Sequence, residues 1–258
     1  MKTGYAAVNG LNLYWESYGQ GEPLILLHGG LQSTSACSKV IDALSKSRNI
    51  IAVDLQAHGR TADIERPMRY ESMADDIAAL IQVLGFSNAD VMGYSLGAGV
   101  ALWTAIRHPG SVRKLVVVSI PFRHDGWYPE VVGAMKRMSG MVDRLKEAPI
   151  YTNYVAIAPE PHHFPALIKK VSELVGAEFD WSNEVAAMKT PAMLVFADAD
   201  AVRPLHMAQF YGLLGGGKKD AGWDGSGMPT ARLAILPGLT HYNLISSPLL
   251  AACVETFL

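Results

Sequence analysis

The stretch Val91-Met92-Gly93-Tyr94-Ser95-Leu96-Gly97-Ala98-Gly99 decides how the rest of the chain is read. Its first residues belong to a short apolar run near Asp90–Met92, the signal of a buried strand, whereas Leu96–Arg107 carries apolar residues at helical spacing. Gly93, Ser95 and Gly97 thus form a G-x-S-x-G pattern where a strand hands over to a helix. A serine at such a junction sits on a sharp, strained turn that leaves its hydroxyl exposed. Small residues at Gly93, Gly97 and Ala98 suit that turn, because strand and helix backbones approach closely there and a bulkier side chain would collide. A serine at the start of a helix can also do no more than cap it, so its chemical meaning depends on residues elsewhere.

Outward from this junction, short apolar runs alternate with helix-period segments along most of the chain. That alternation predicts an α/β fold, a mostly parallel eight-stranded sheet flanked by helices on both faces. The strand candidates lie near Tyr5–Val8, Asn12–Glu16, Leu24–Leu27, Ile50–Asp54, Asp90–Met92, Lys114–Val118, Met193–Ala197 and Arg232–Leu236. Runs such as Leu24-Ile25-Leu26-Leu27 and Val116-Val117-Val118 suit strands buried on both faces. Asn9-Gly10 separates the first two candidates and is a hairpin signal, so the sheet is expected to open with an antiparallel pair. Helices are expected near Lys39–Ser47, Ser72–Leu84, Leu96–Arg107, Leu205–Leu214 and Pro248–Phe257. From Pro121 to Lys189 the alternation lapses into helix-period sequence interrupted by Pro129, Pro149, Pro159, Pro161 and Pro165. This predicts a helical cap over residues 121–189, inserted into a core made of residues 1–120 and 190–258.

A serine hydroxyl is a poor nucleophile near neutral pH, so a chemical role for Ser95 requires a histidine base and a carboxylate to orient it. His241 follows the last strand in Leu236-Pro237-Gly238-Leu239-Thr240-His241, where a Pro-Gly turn would let the imidazole reach back over the sheet edge. Two carboxylates, Asp198 and Asp200, follow the seventh strand in Ala197-Asp198-Ala199-Asp200-Ala201-Val202-Arg203-Pro204. Only one of them can hold the histidine.

At this point the sequence resembles the α/β-hydrolase-fold family, over nearly its whole length. Gly93-Tyr94-Ser95-Leu96-Gly97 is similar to the family's nucleophile elbow and His28-Gly29-Gly30 to its oxyanion loop after the third strand. Asp54-Leu55-Gln56-Ala57-His58-Gly59-Arg60-Thr61 is similar to its fourth-strand signature, with Ala57 where Gly is usual and Thr61 where Ser is commoner. The acid-strand pattern lands on Asp200 and Pro204. The resemblance implies a serine esterase-like member with a helical cap and the catalytic order Ser95, Asp200, His241. Asp198 is then expected to cap the turn or face water. It further implies an oxyanion hole built from the backbone N–H groups of Leu96 and Gly30, with Leu31 as the alternative second donor.

The implied reaction is hydrolysis of a carboxylic ester through an acyl-enzyme on Ser95. Lactone opening, carbon–carbon bond hydrolysis, amide cleavage and perhydrolysis use the same residues, and a ligand-binding receptor-like member would keep the fold with little turnover. Epoxide hydrolases and haloalkane dehalogenases need a carboxylate nucleophile, which Ser95 is not. No cofactor and no metal are expected, since serine chemistry of this kind needs neither. His162-His163 lack a third ligand at metal-like spacing and are read as cap residues. His28 and His58 are expected to shape loops, and Cys37 to be a small buried hydrophobe. Trp127, Tyr128, Met135, Met138, Met141, Tyr151, Tyr154, Ile157, Phe164 and Trp181 make the cap rich in aromatic residues and methionine. A minority of them should line an apolar pocket for a hydrophobic acyl or alcohol group.

Composition agrees with an enzyme-sized domain. The chain has 258 residues, 50% hydrophobic and 18% charged, enough to bury a core without disulfide or metal. Its 22 Lys+Arg against 24 Asp+Glu, with no basic cluster longer than a dipeptide, exclude a phosphate-backbone footprint, so nucleic acid is not an expected partner. Cys37 and Cys253 form no Cys-x-x-Cys pair, and no apolar run reaches the ~18 residues of a membrane span. A cytoplasmic monomer or homodimer acting on a small hydrophobic ester is the expectation. Gly215–Gly227 is glycine-rich but lacks the Gly-Lys-Ser/Thr ending of a phosphate loop, and is expected to be surface.

Overall fold

The aliphatic runs Leu24–Leu27, Ile50–Val53 and Val116–Val118 are at most 1% exposed, which makes them the centre of the molecule. A computed structural model describes every residue from Met1 to Leu258. Eight strands, β1 (Lys2–Val8), β2 (Leu11–Tyr18), β3 (Pro23–Leu27), β4 (Asn49–Val53), β5 (Ala89–Tyr94), β6 (Val112–Val118), β7 (Ala192–Ala199) and β8 (Arg232–Thr240), form one sheet in the order β1-β2-β4-β3-β5-β6-β7-β8. From β4 to β8 all pairings are parallel, whereas β2 is antiparallel to both β1 and β4. Asn9 (φ 46°) and Gly10 (φ 82°) supply the left-handed pair that a tight hairpin between β1 and β2 requires.

Side chains alternate across the sheet, and the alternation divides the core in two. Leu24, Leu26, Val116 and Val118 pack under α1 (Ser38–Leu44) and α10 (Pro248–Glu255). Ile25, Leu27, Leu115 and Val117 pack under α2 (Tyr70–Val83), α3 (Leu96–Arg107) and α9 (Pro204–Leu213). Both faces of the strands are therefore covered, as continuous apolar runs demand.

Between β6 and β7 lie α4 (Pro129–Arg137), α5 (Val142–Lys146), α6 (Pro149–Val155), α7 (Phe164–Gly176) and α8 (Ser182–Ala187). Three of the five prolines that interrupt this sequence start its helices rather than break them. Pro129 and Pro149 are the first residues of α4 and α6, and Pro165 is the second of α7. There the missing N–H would be unpaired in any case. Phe164, Leu167, Ile168 and Val171 anchor α7 to the core, whereas α4 buries no residue fully.

Strand β8 runs four residues beyond the expected Leu236. Pro237-Gly238 is a bulge inside the strand rather than a turn that ends it: the β7–β8 register shifts, and pairing resumes at Ala199 and Thr240. Gly238 takes φ 71° there, and the Asp198 carboxylate accepts the N–H groups of Gly238 (3.0 Å) and Leu239 (3.2 Å). The glycine-rich Gly215–Gly227 segment enters β8 at the opposite end of the sheet and leaves Trp223 wholly exposed. No helix is long and apolar enough to cross a membrane.

Candidate active site

Four adjacent parallel strands deliver one polar residue each at their carboxyl ends: Ser95 after β5, Ser119 after β6, Asp200 just past β7 and His241 after β8. In an open α/β sheet this edge is where ligands bind.

Ser95 has φ 53° and ψ −118°, a conformation L-residues rarely adopt. Its N–H donates to the Val118 carbonyl at 2.8 Å and its carbonyl accepts from Ala98 at 2.9 Å, which fixes the turn. The turn depends on missing side chains. A Cβ on Gly93 would stand 2.0 Å from the Gly97 carbonyl oxygen, and one on Gly97 would stand 2.3 Å from the His28 oxygen. The hydroxyl does not cap α3. Instead Ser95 Oγ lies 3.1 Å from Nε2 of His241.

The other face of that imidazole meets two groups. Nδ1 is 2.6 Å from Ser119 Oγ and 3.2 Å from Asp200 Oδ1. The Ser119 hydroxyl in turn lies 2.6 and 2.8 Å from the two Asp200 oxygens. Asp200 also accepts the N–H groups of Ala197 (2.9 Å) and Val202 (3.2 Å). Burial pushes its carboxyl up, but the His241 hydrogen bond and charge, the Ser119 hydroxyl and the Ala197 N–H outweigh burial and hold it below the ordinary carboxylate range. Tyr94 donates its hydroxyl to the His241 carbonyl, and Trp127 sets an edge against the imidazole. Asp198 is exposed and spends its carboxylate on the β8 bulge.

Ser119 escaped the sequence reading. The available signal was a small polar residue ending the Val116-Val117-Val118 run, on the strand between those that carry Ser95 and Asp200.

The loop after β3 is held by two buried histidines. His28 donates from Nδ1 to the Gly29 carbonyl (2.7 Å) and accepts the Leu55 N–H at Nε2 (3.1 Å). His58 donates from Nδ1 to the Gln56 carbonyl (2.8 Å) and accepts the Leu31 N–H at Nε2 (3.0 Å). These partners define one neutral tautomer each. Burial lowers His28 to about 4, and burial together with the neighbouring His28 lowers His58 to about 3. Leu31, at φ 59°, thus has its N–H occupied, whereas the N–H groups of Gly30 and Leu96 bond to no group of the chain. Ala57, where the family usually has Gly, takes φ 65°, and Thr61 Oγ1 accepts the Tyr14 N–H and donates to the Asp54 carbonyl. The loop keeps a glycine-like backbone at Ala57, and Thr61 supplies the hydroxyl a serine would.

Above Ser95 and His241 opens a cavity of about 340 Å³ roofed by Met135, Met138, Met141, Leu145, Val171 and Val175. A second cavity, of about 420 Å³, shares the Leu31–Gln32 wall and is lined by Ser33, Ser35, Asn153 and Tyr154 together with the apolar Ala36, Ile150 and Ile157, with no charged side chain. Of the aromatic residues noted in the insertion, Trp127, Tyr154, Phe164 and Trp181 are core residues. Cys37 is buried, its thiol pushed up to about 12 by burial, and lines neither cavity. His163 pairs with Glu160 at 3.0 Å, and no three His, Cys, Asp or Glu side chains cluster as metal ligands would.

Residues 22–152 match the family model described as the alpha/beta hydrolase fold. A protein of Azorhizobium caulinodans with the provisional name carbamate hydrolase RutD is 26% identical over 222 residues, 79% of this chain and 83% of that one. A pimeloyl-[acyl-carrier protein] methyl ester esterase of Chromobacterium violaceum is 26% identical over 247 residues, 92% and 93% of the two chains. The crystal structure of an E-2-(acetamidomethylene)succinate hydrolase superposes with a TM-score of 0.76 at 18% identity, covering 99% of this chain and 98% of that one. The strand order, the strained serine after β5 and the matched family model together establish that the chain belongs to the α/β-hydrolase fold family.

Proposed function

We propose that this family member is a serine hydrolase that cleaves carboxylic esters with a hydrophobic acyl group, through an acyl-enzyme on Ser95. The observation that carries this reading is the 3.1 Å approach of Ser95 Oγ to His241 Nε2 at the floor of the methionine-roofed cavity. His241 takes the Ser95 proton as Oγ bonds to the ester carbonyl carbon, and Asp200 orients the imidazole and stabilises its cationic form. The unengaged N–H groups of Gly30 and Leu96 receive the developing oxyanion. When the intermediate collapses, the carbon–oxygen bond to the alcohol breaks and His241 returns the proton to the leaving oxygen. Water, deprotonated by the same imidazole, then releases the acid and restores Ser95.

The apolar cavity suits the acyl chain, since flexible methionines adapt to chains of different length. The cavity beyond Leu31 and Gln32, where Ser33, Ser35 and Asn153 stand among Ala36, Ile150 and Ile157 with no charge, suits an uncharged alcohol of mixed polarity. A cyclic ester offers the same bond to the same residues.

The test is steady-state hydrolysis of p-nitrophenyl esters from acetate to decanoate by the wild-type chain and by Ser95→Ala prepared identically. Turnover with a chain-length optimum, lost in the variant to about 10³–10⁴ over water, is expected. Equal turnover in both proteins overturns Ser95 as nucleophile, and no turnover in either overturns the ester reading.

A further inference from the structure

We propose that Ser119 is a positioning residue that links Asp200 to His241, so that the carboxylate orients the imidazole through the serine hydroxyl as well as directly. The proposal rests on the reading of Ser95 as nucleophile and extends it to a residue outside the Ser-Asp-His set.

The donor count fixes the direction of each bond. Nε2 of His241 must accept from Ser95 for the serine to be activated, so Nδ1 carries the ring proton. An ionised Asp200 only accepts. The hydroxyl of Ser119, with one proton and two lone pairs, therefore accepts the Nδ1 proton at 2.6 Å and donates its own to the carboxylate. The direct contact from Nδ1 to Asp200 Oδ1, at 3.2 Å, is the longer of the two paths. Ser119 is 0% exposed, so no solvent competes for these bonds, and in such surroundings each bond of a chain polarises the next.

The backbone bears the same mark. Ser119 takes φ 57°, a left-handed conformation in which glycine is the unstrained choice, and its N–H is tied to the Val195 carbonyl at 2.9 Å. A side chain kept at that angle stores strain that the surrounding contacts must offset. Here those contacts are the three hydrogen-bonding approaches to His241 and Asp200. The strand order explains the placement: β6 lies between β5 and β7, so the residue leaving β6 arrives between those leaving its neighbours.

The experiment reads nucleophile activation without assuming a substrate. An alkyl fluorophosphonate reacts as Ser95 Oγ bonds to phosphorus, fluoride leaves and the serine proton passes to His241. The second-order labelling rate is measured in the wild type, Ser119→Gly, Ser119→Ala and Asp200→Asn, and in Asp200→Asn combined with each Ser119 variant. Thermal unfolding is recorded in parallel. Ser119→Gly removes the hydroxyl at a backbone angle that glycine adopts freely, so it is expected to fold and to label about tenfold to a hundredfold more slowly, the usual effect of losing a partner that orients a functional histidine. In the Asp200→Asn background the same removal is expected to cost less than about twofold, because residues acting through one network are not additive. A rate within twofold of wild type in both Ser119 variants overturns the proposal. So does a full, additive loss in the Asp200→Asn background, or failure of both variants to fold. Absence of wild-type labelling overturns Ser95 as nucleophile and Ser119 with it. Labelling that depends on Ser119, in a protein that turns over no ester, overturns the ester reading alone.

Discussion

Leu31 gives its N–H to Nε2 of His58 at 3.0 Å, and so a residue of the fourth-strand loop holds the backbone of the loop after β3. Leu31 is kept in a left-handed conformation, and the preceding N–H, that of Gly30, bonds to no group of the chain.

If that bond sets the loop, His58→Ala should lower kcat for any ester the protein cleaves by about tenfold to a hundredfold, the range seen when an orienting partner is lost. Stability should drop by about 1–3 kcal/mol, because a buried donor loses its acceptor. Steady-state kinetics and denaturant unfolding of the same preparation check both. Unchanged kcat with lowered stability would make His58 a purely structural residue.

The glycines of the serine turn should divide by what their missing side chains avoid. Gly93→Ala and Gly97→Ala drive a Cβ to within 2.0 and 2.3 Å of backbone oxygens, so each should cost about 3 kcal/mol or more and abolish Ser95 labelling. Gly30→Ala meets only Val171 Cγ1 at 3.4 Å and Leu96 Cδ1 at 3.5 Å. Its unfolding midpoint should stay near wild type, since isolated small changes without a clash usually fall within about 0.5 kcal/mol. Equal destabilisation by all three would contradict the turn geometry.

Asp198 and Asp200 are two residues apart and should behave very differently. Asp200→Asn should lower kcat by about 10⁴, as when an orienting carboxylate is replaced by an amide that favours the wrong imidazole tautomer. Asp198→Asn keeps an acceptor for Gly238 and Leu239 and should retain kcat within about threefold, as a surface substitution normally does. The reverse ranking in parallel assays would move the acid to Asp198.

Acid should unfold the protein through its buried histidines. His28 and His58 titrate at about 4 and about 3 in the folded chain against an ordinary 6.5. Their folded values are lower, so the unfolded chain binds more protons below 6.5. Stability is full above that pH and is lost as pH falls, by about 1.4 kcal/mol per pH unit for each histidine. Urea midpoints measured between pH 7 and 4 should fall ever more steeply below 6.5, and less so in His58→Gln. A flat profile from pH 7 to 5 would show that the two imidazoles are not buried neutral.

Chain-length preference should reside in the insertion. Met138→Trp fills part of the 340 Å³ cavity, so kcat/KM for decanoate should fall more than about tenfold while acetate changes less than about threefold, in line with the sensitivity of apolar pockets to added bulk. A uniform loss across the ester series would place Met138 in the scaffold instead.

Much of the architecture was legible because it is local. Alternating and continuous apolar runs gave the strands, Asn9-Gly10 gave the antiparallel opening, and close backbone approach explains why Gly93 and Gly97 flank Ser95. The prolines of the insertion were harder to read: one residue type both stops a helix and starts one, and only the neighbouring backbone tells which. The same limit applies to Pro237-Gly238, read as a turn and found as a bulge because Asp198, from the adjacent strand, supplies its hydrogen bonds.

The sequence by itself determined the element types, the mostly parallel sheet and the positions of Ser95, Asp200 and His241 after their strands, since periodicity and turn chemistry act over a few residues. Tertiary structure alone decided that Ser119 stands 2.6 Å from Nδ1 of His241, that His58 occupies the Leu31 N–H and that Met135, Met138 and Met141 line the cavity that holds Ser95. These contacts join residues between 27 and 122 positions apart. Their geometry is set by strand order and register, which bring distant carboxyl ends of strands to one edge, and no local pattern encodes a distance across that edge.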